Sequence, residues 1–150
     1  MHEFSDYLRE NIIWDKGICQ PPIGNILGKR YEYVLVFTKS KDVVINDFRN
    51  NMGAKYKQIF GHWISNLIKM STRSDQTNYS NTHRAGFPLE LPKVFIDVYT
   101  KEGDIVLDPF SGLSTTAIAA KRLHRNYIGI ELSEKYIEIG RQLLRQETLF

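Results

Sequence analysis

The sequence predicts an α/β fold, because two short apolar stretches each run into a helical one. One candidate strand covers residues 104–108, and a second, at residues 127–130, ends beside Glu131. Between the two strands, a turn built on Gly112 leads into a helical stretch that begins at Thr115. An alternation of strand, helix, strand and helix is typical of a parallel α/β unit, in which helices cover the faces of the sheet.

The same stretch has the features of a nucleotide-type cofactor site. Gly112 has no Cβ, so the backbone there can approach a ligand closely. A helix that begins at Thr115 presents unpaired N–H groups and a partial positive charge, and Glu131 can accept hydrogen bonds from ribose hydroxyls. An ordinary tight turn is the alternative for each feature alone, and their combination favours the site. The spacing differs from the dinucleotide and phosphate-loop fingerprints.

Two further strands and a helix are predicted in the first half of the chain. Residues 11–14 form a short apolar run, and residues 31–37 are dense in β-branched and aromatic side chains, which favours a strand. These two strands can pair as a hairpin with a long loop. Apolar residues then recur at helical spacing from Tyr56 to Ile68 and predict a core-facing helix. The polar residues 71–82 indicate an exposed loop.

Three helices are predicted in the second half. Pro92 suits the first turn of a helix, and apolar residues continue at helical spacing to Val98. The helix that begins at Thr115 is rich in alanine and continues to Leu123. Ser133 is the candidate N-cap of the last helix.

The composition limits the class of protein. The 150 residues suffice for one ordinary domain, and no apolar run is long enough to span a membrane. The N-terminus lacks a signal-peptide pattern, and the single cysteine, Cys19, excludes an internal disulfide framework. We therefore expect a cytoplasmic protein. The net charge of +3 permits contact with a polyanion, and the four scattered histidines lack metal-ligand spacing.

Residues 108–116 read Asp-Pro-Phe-Ser-Gly-Leu-Ser-Thr-Thr. This segment resembles motif I of the DNA amino-methyltransferases, the family that methylates N6 of adenine or N4 of cytosine, whose pattern is D-P-F-x-G-S-G-T-T. The chain departs from the pattern at two positions, where Leu113 replaces the usual Ser and Ser114 replaces the usual Gly.

Three earlier segments are similar to other motifs of this family. Residues 12–16 and 30–39 match the strands of motifs VII and VIII, which form the end hairpin of the family's sheet. Residues 83–92 match motif X, whose pattern is near H-P-A-x-F-P-x-x-L, except that Arg84 replaces the Pro.

The resemblance implies a partial class I, Rossmann-like methyltransferase fold of the α/β class, with an inserted DNA-recognition region. It divides the chain, as one structural domain, into residues 1–43 for the end hairpin, 44–82 for target recognition and 83–150 for the cofactor-binding α/β unit.

The resemblance also implies that the cofactor is S-adenosyl-L-methionine. Asp108 and Phe110 would shape the turn, with Phe110 near the adenine, and Glu131 would bind the ribose hydroxyls. Residues 112 and 114–116 would hold the methionine part, and the motif X residues would close the pocket. The complete set of implied cofactor-binding residues is His83, Phe87, Pro88, Asp108, Phe110, Gly112, Ser114, Thr115, Thr116, Glu131 and Leu132.

Double-stranded DNA is the implied partner of the recognition region. Basic residues in or near this region are candidate phosphate contacts, and ordinary surface charge is the alternative interpretation. The candidates are Lys55, Lys57, Lys69 and Arg73.

The family's catalytic motif, [D/N/S]-P-P-[Y/F/W], has no counterpart in the 150 residues. Residues 20–23 read Gln-Pro-Pro-Ile, with the wrong residue on each side of the prolines. The matched motifs follow the order VII, VIII, recognition region, X, I, II, which is that of the permuted β class, where the catalytic motif comes first. We therefore expect the C-terminal part of a methyltransferase, with the catalytic motif on a missing N-terminal segment or a partner chain.

Two alternatives remain open: a non-catalytic subunit of a split enzyme, and an inactive gene remnant. Without the strands next to the catalytic motif, the strand at residues 104–108 would have an unpaired edge, and apolar faces would be uncovered. The sequence determines neither the recognised DNA sequence, nor adenine against cytosine, nor the oligomeric state.

Overall fold

A computed structural model describes residues 7–17, 28, 30–39, 66–70 and 86–146 of the chain. The chain divides into two compact units, Met1–Ser71 and Thr72–Phe150. Among the described residues, no helix has the length and apolar character needed to cross a membrane.

The described part of the first unit is a three-stranded sheet. Its strands are β1 (Leu8–Asp15), β2 (Tyr31–Phe37) and β3 (Leu67–Lys69), in the spatial order β2–β1–β3. β1 and β2 are antiparallel and β3 runs parallel to β1. The predicted hairpin of the two early strands is therefore confirmed, and β1 extends the predicted 11–14 run in both directions.

One face of this sheet is buried. Ile12 and Trp14 on β1 and Ile68 on β3 are all buried. The indole N–H of Trp14 donates to the carbonyl of Met70 at 3.1 Å, which satisfies the polar atom that burial would otherwise leave unpaired. The other face exposes apolar side chains of β2, including Tyr33 and Leu35.

The predicted helix from Tyr56 to Ile68 is wrong at its C-terminal end. Leu67 and Ile68 belong to β3, where they lie opposite Ile13 and Trp14 of β1. The backbone N–H of Ile13 also donates to Asn66 at 2.8 Å. Pairing with a distant strand thus overrides a local helical pattern. Residues 56–65 lie outside the described part of the chain.

The second unit alternates helices and strands. It contains α1 (Glu90–Tyr99), β4 (Ile105–Asp108), α2 (Thr115–Arg122), β5 (Asn126–Gly129) and α3 (Glu134–Gln146). β4 and β5 are parallel, with Asp108 opposite Gly129 at their carboxyl ends. The predicted strand–helix–strand–helix unit is confirmed. Ser133 caps α3 by accepting from the N–H of Tyr136 at 3.4 Å.

Helix packing builds the core of this unit on one face of the β4–β5 pair. The buried cluster joins α1 to α2 and consists of Leu89, Ile96, Ile118, Ala119 and Ala120. Val106 of β4 and side chains of α3 pack against this cluster. The small alanines of α2 let the neighbouring elements approach closely, which explains why an alanine-rich segment lies at the centre.

In the described part of the chain, the opposite face of the β4–β5 pair is uncovered. Ile105 and Leu107 are 65% and 60% exposed, and Ile128 and Ile130 beside them are about half exposed. Within the described residues, β4 pairs with β5 alone.

A buried arginine fixes the end of α1 next to the start of β5. The Arg125 guanidinium donates to the carbonyl and the hydroxyl of Thr100 at 2.7 and 3.0 Å and to the Leu123 carbonyl at 2.6 Å. It also lies 3.7 Å from the carboxylate of Asp97, and both side chains are about nine-tenths buried.

Candidate cofactor site

The turn after β4 is shaped by its own polar groups. The carboxylate of Asp108 accepts from the backbone N–H of Phe110 at 3.0 Å, an arrangement in which a side chain stabilises a turn two residues ahead. The carbonyl of Ser111 accepts from the N–H of Ser114 at 2.8 Å and closes the turn. Gly112 has a φ of 53°, which a residue without a Cβ adopts at little cost.

Ser114, which stands where the family pattern has glycine, adopts the left-handed conformation. Its φ is 67° and its ψ is 27°, and its side chain makes no capping hydrogen bond to α2. Leu113, the other departure from the pattern, is buried. Its side chain therefore adds apolar packing to the protein interior.

Backbone hydrogen bonds join the two strand ends beyond the last ladder pair. The N–H of Ile130 donates to Asp108, and the N–H of Ser111 donates to Ile130, both at 2.9 Å. The loop after β4 and the loop after β5 therefore lie side by side at the carboxyl ends of two parallel strands. Ligands of open α/β sheets bind at this edge of the sheet.

Glu131 adds a side-chain link between the two loops. Its Oε2 accepts from the N–H of Gly112 at 2.9 Å. Its Oε1 accepts from the N–H groups of Leu132 and Ser133 at 2.9 and 2.8 Å. The carboxylate is thus held by three backbone amides at the point where the two loops meet.

Two glycines provide the space for the serines of the turn. A Cβ at Gly129 of β5 would lie 2.7 Å from the hydroxyl of Ser111, and a Cβ at Gly140 of α3 would lie 3.2 Å from the Cβ of Ser114. Both distances are too short for an unaltered packing. Sequence reasoning missed both glycines, although a glycine inside a strand or helix signals a close approach.

A cavity of about 460 Å³ lies beside the turn, within the range of small-molecule pockets. It includes three of the sequence-predicted residues, namely Gly112, Ser114 and Glu131. The other lining residues, which the sequence did not single out, are Ser111, Ala117, Tyr127, Gly129, Ile130, Ile137, Arg141 and Leu144. Ser111 belongs to the motif at residues 108–116, and the others lie in predicted strand or helix segments whose pattern indicated no ligand contact.

Two apolar side chains project from the adjoining loops. Phe110 is 88% exposed and Leu132 is 97% exposed. Phe110 follows the carboxyl end of β4, and Leu132 follows Glu131 after β5. Their apolar surfaces are therefore accessible to a ligand or a partner.

The other predicted site residues fall in three places. Thr115 and Thr116 form the first turn of α2, outside the cavity lining. Phe87 and Pro88 precede α1, where the Pro88 carbonyl accepts from Leu91 at 3.1 Å. His83 lies outside the described residues. Within the described part of the chain, no group of three or more His, Cys, Asp or Glu side chains could hold a metal ion.

Of the predicted DNA contacts, only Lys69 falls in the described part of the chain. It is an exposed residue at the end of β3, and its side chain lies near Gly17. Lys55, Lys57 and Arg73 lie outside the described residues.

The chain is similar in sequence and in fold to known DNA methylases. A family model described as DNA methylase matches residues 1–142. The chain belongs to this family of N6 and N4 DNA methylases.

Several curated relatives are similar to nearly the whole chain. The Type II beta methyltransferase M.BslI of Bacillus sp. (strain NEB-606) is 33% identical over 153 residues, which cover 89% of this chain and 16% of that protein. The orphan methyltransferase M.BamHII of Bacillus amyloliquefaciens is 30% identical over 92% of this chain and 62% of its own length. The chain thus spans between about a sixth and three fifths of these relatives.

Solved structures show the same architecture. The cytosine-N4-specific PvuII DNA methyltransferase has a TM-score of 0.69 at 23% identity, over 90% of this chain and 50% of that one. The M1.HpyAVI–SAM complex has a TM-score of 0.62 at 29% identity, over 91% of this chain and 61% of that one. These matches confirm the Rossmann-like methyltransferase fold that the sequence predicts.

Proposed function

We propose that the chain is the cofactor-binding and DNA-recognition part of a site-specific DNA amino-methyltransferase of the restriction–modification type. The cofactor is S-adenosyl-L-methionine, and the target is N6 of adenine or N4 of cytosine. The observation that carries the proposal is the junction of the Gly112 turn with Glu131 at the carboxyl ends of two parallel strands. Membership of the DNA methylase family supports it, as does the M1.HpyAVI–SAM complex.

The residues of the site fit this cofactor. Phe110 and Leu132 offer exposed apolar surfaces that would suit the adenine, and the carboxylate of Glu131 would accept hydrogen bonds from the ribose hydroxyls. Gly112, Ser114, Thr115 and Thr116 would face the methionine end, where the N-terminus of α2 favours a carboxylate. When bound, the cofactor supplies an electrophilic methyl group on a sulfonium, and the task of these residues is orientation.

Two further segments of the chain would close the pocket and contact the DNA. His83, Phe87 and Pro88, which match motif X, would close the methionine end of the pocket. Residues 44–82 would recognise the target sequence, with Lys55, Lys57, Lys69 and Arg73 as phosphate contacts. Because the substrate is cellular DNA, we expect the protein to act in the cytoplasm.

The catalytic [D/N/S]-P-P-[Y/F/W] motif is proposed to lie outside these 150 residues. It would be carried by a preceding segment or by a partner chain, and it would hold the flipped base while the target amine attacks the methyl group. The share of relatives that the chain spans and the uncovered face of the β4–β5 pair favour this reading. A reading frame directly upstream that encodes D-P-P-Y or S-P-P-Y would indicate a split enzyme, and an out-of-frame copy would indicate a remnant.

Isothermal titration of the purified chain with S-adenosyl-L-methionine tests the proposal. We expect weak binding that Glu131→Ala weakens further, and no methyl transfer to DNA by the chain alone. Unchanged affinity in the Glu131→Ala variant would remove Glu131 from the site. Methyl transfer by the lone chain would show that the catalytic group lies within it.

A further inference from the structure

We infer that Glu131 acts on cofactor binding chiefly as a positioning residue, which holds the Gly112 turn in its binding conformation. The inference rests on the proposed function of the same site. Its starting point is the 2.9 Å hydrogen bond from the Gly112 N–H to Oε2 of Glu131, which joins two loops that are 19 residues apart in sequence. This bond gives the carboxylate a role that precedes the arrival of any ribose.

The carboxylate is well placed to act as a fixed anchor. Its Oε1 is held by the N–H groups of Leu132 and Ser133 at the start of the α3 segment. Hydrogen bonds to an ionised acceptor are roughly twice as strong as neutral ones. The last backbone link between the loops runs from Ser111 to Ile130, so Glu131 continues the connection by one residue on each side.

The turn needs such an anchor because its backbone is strained. Ser114 lies in the left-handed region, which is costly for a residue with a Cβ, and its side chain gives α2 no capping hydrogen bond. A strained conformation persists only when neighbouring contacts hold it. Fixing the turn in advance removes an ordering cost that the cofactor would otherwise have to overcome.

A glutamine at position 131 separates the two roles of the carboxylate. The amide oxygen can still accept from Leu132 and Ser133, but the NH₂ group then faces the Gly112 N–H, so two donors meet and the link is lost. A ribose hydroxyl can still bond to either end of the amide. Loss of the link should therefore weaken any ligand that needs the ordered turn, whether or not it carries ribose hydroxyls.

The binding experiment compares two ligands and two variants of the full chain. The ligands are S-adenosylhomocysteine and its 2′,3′-dideoxy analogue, and the matched control for Glu131→Gln is Glu134→Gln, the same change in the exposed first turn of α3. We expect Glu131→Gln to weaken both ligands by the same factor, about tenfold, and Glu134→Gln to weaken neither. A penalty confined to the ligand with ribose hydroxyls would overturn the inference.

The amide signal of Gly112 gives a readout that does not depend on ligand. In the unliganded chain, Glu131→Gln should shift this signal and accelerate its hydrogen exchange, and Glu134→Gln should leave it unchanged. An unmoved Gly112 signal in Glu131→Gln would also overturn the inference. If the wild-type chain bound neither ligand, the proposed function would fail. The inference about cofactor binding would then fail with it, even if Glu131→Gln shifted the Gly112 signal.

Discussion

At the scale of single residues, the site depends on pairs of side chains that are distant in sequence. The motif at residues 108–116 and Glu131 were predicted from the sequence, because a strand, a turn and a helix start leave a local signature. The contacts of Ser111 with Gly129 and of Ser114 with Gly140 were not. These depend on how β5 and α3 pack against the turn, which no local pattern records.

The Ser114–Gly140 contact predicts that Gly140→Ala changes the free energy of unfolding differently in two backgrounds, with serine or with glycine at position 114. In the wild-type chain, Gly140→Ala should destabilise the fold by about 1–3 kcal/mol, because its Cβ would press on Ser114. In a Ser114→Gly background, which also relaxes the left-handed backbone, the same change should be neutral or stabilising, since alanine favours a helix over glycine by about 1 kcal/mol. Urea unfolding of the wild type, the two single variants and the double variant measures the coupling energy between the two positions. Equal effects in both backgrounds would refute the contact.

At the scale of elements, the sequence predicted most of the strands and helices, together with two of the three strand pairings in the described part of the chain. The hairpin of β1 and β2 and the parallel pair β4–β5 agree with the prediction, because periodicity and residue type both indicated them. β3 was missed, because it has only three residues and their strand conformation depends on pairing with β1. A short edge segment of this kind has no periodicity of its own.

The hydrogen bonds of Asp15 at the end of β1 predict that the stability of the hairpin depends on pH. Hydrogen bonds from the Arg30 guanidinium and the Gly17 N–H lower the pKa of Asp15 from 3.8 to about 2. Because the folded pKa is depressed, the stability due to ionised Asp15 is present above pH 4 and is lost as the pH falls towards 2. Carboxyl titration by NMR should give a pKa near 2 in the wild type and a higher one in Arg30→Gln. Equal pKa values in the two chains would contradict this account.

The buried arginine predicts a large stability loss in the second unit. Arg125→Ala should cost about 3–5 kcal/mol, because it removes the buried guanidinium that lies beside the buried Asp97 carboxylate. Arg125→Lys keeps the charge but loses the planar set of donors to Thr100 and Leu123, so its cost should be intermediate. Denaturant unfolding checks both. A cost below about 1 kcal/mol for Arg125→Ala would show that the network contributes little.

At the scale of the whole molecule, both described sheets expose large apolar side chains to water. The β4–β5 pair covers one face with helices and leaves apolar side chains uncovered on the other. A two-stranded sheet is marginally stable without further strands or packing. The uncovered face and the relatives' greater length fit the proposal that a further segment completes the fold.

Neighbouring residues of β4 test whether this face is a contact surface. Leu107 lies on the uncovered face, whereas Val106 packs against the core. We expect Leu107→Ser to change stability by less than about 0.5 kcal/mol and Val106→Ser to cost about 1–3 kcal/mol. Denaturant unfolding of the two variants measures both costs. Similar destabilisation by both changes would mean that both faces are packed.

We propose that S-adenosyl-L-methionine binds at the carboxyl ends of β4 and β5. A titration of the isotope-labelled chain with this cofactor, followed by the backbone amide signals, tests this binding site. We expect saturable shifts that cluster at residues 110–116 and 131–133. Saturable shifts confined to other residues would contradict this binding site. The absence of shifts at cofactor concentrations well above the dissociation constant of a weak site would contradict it as well.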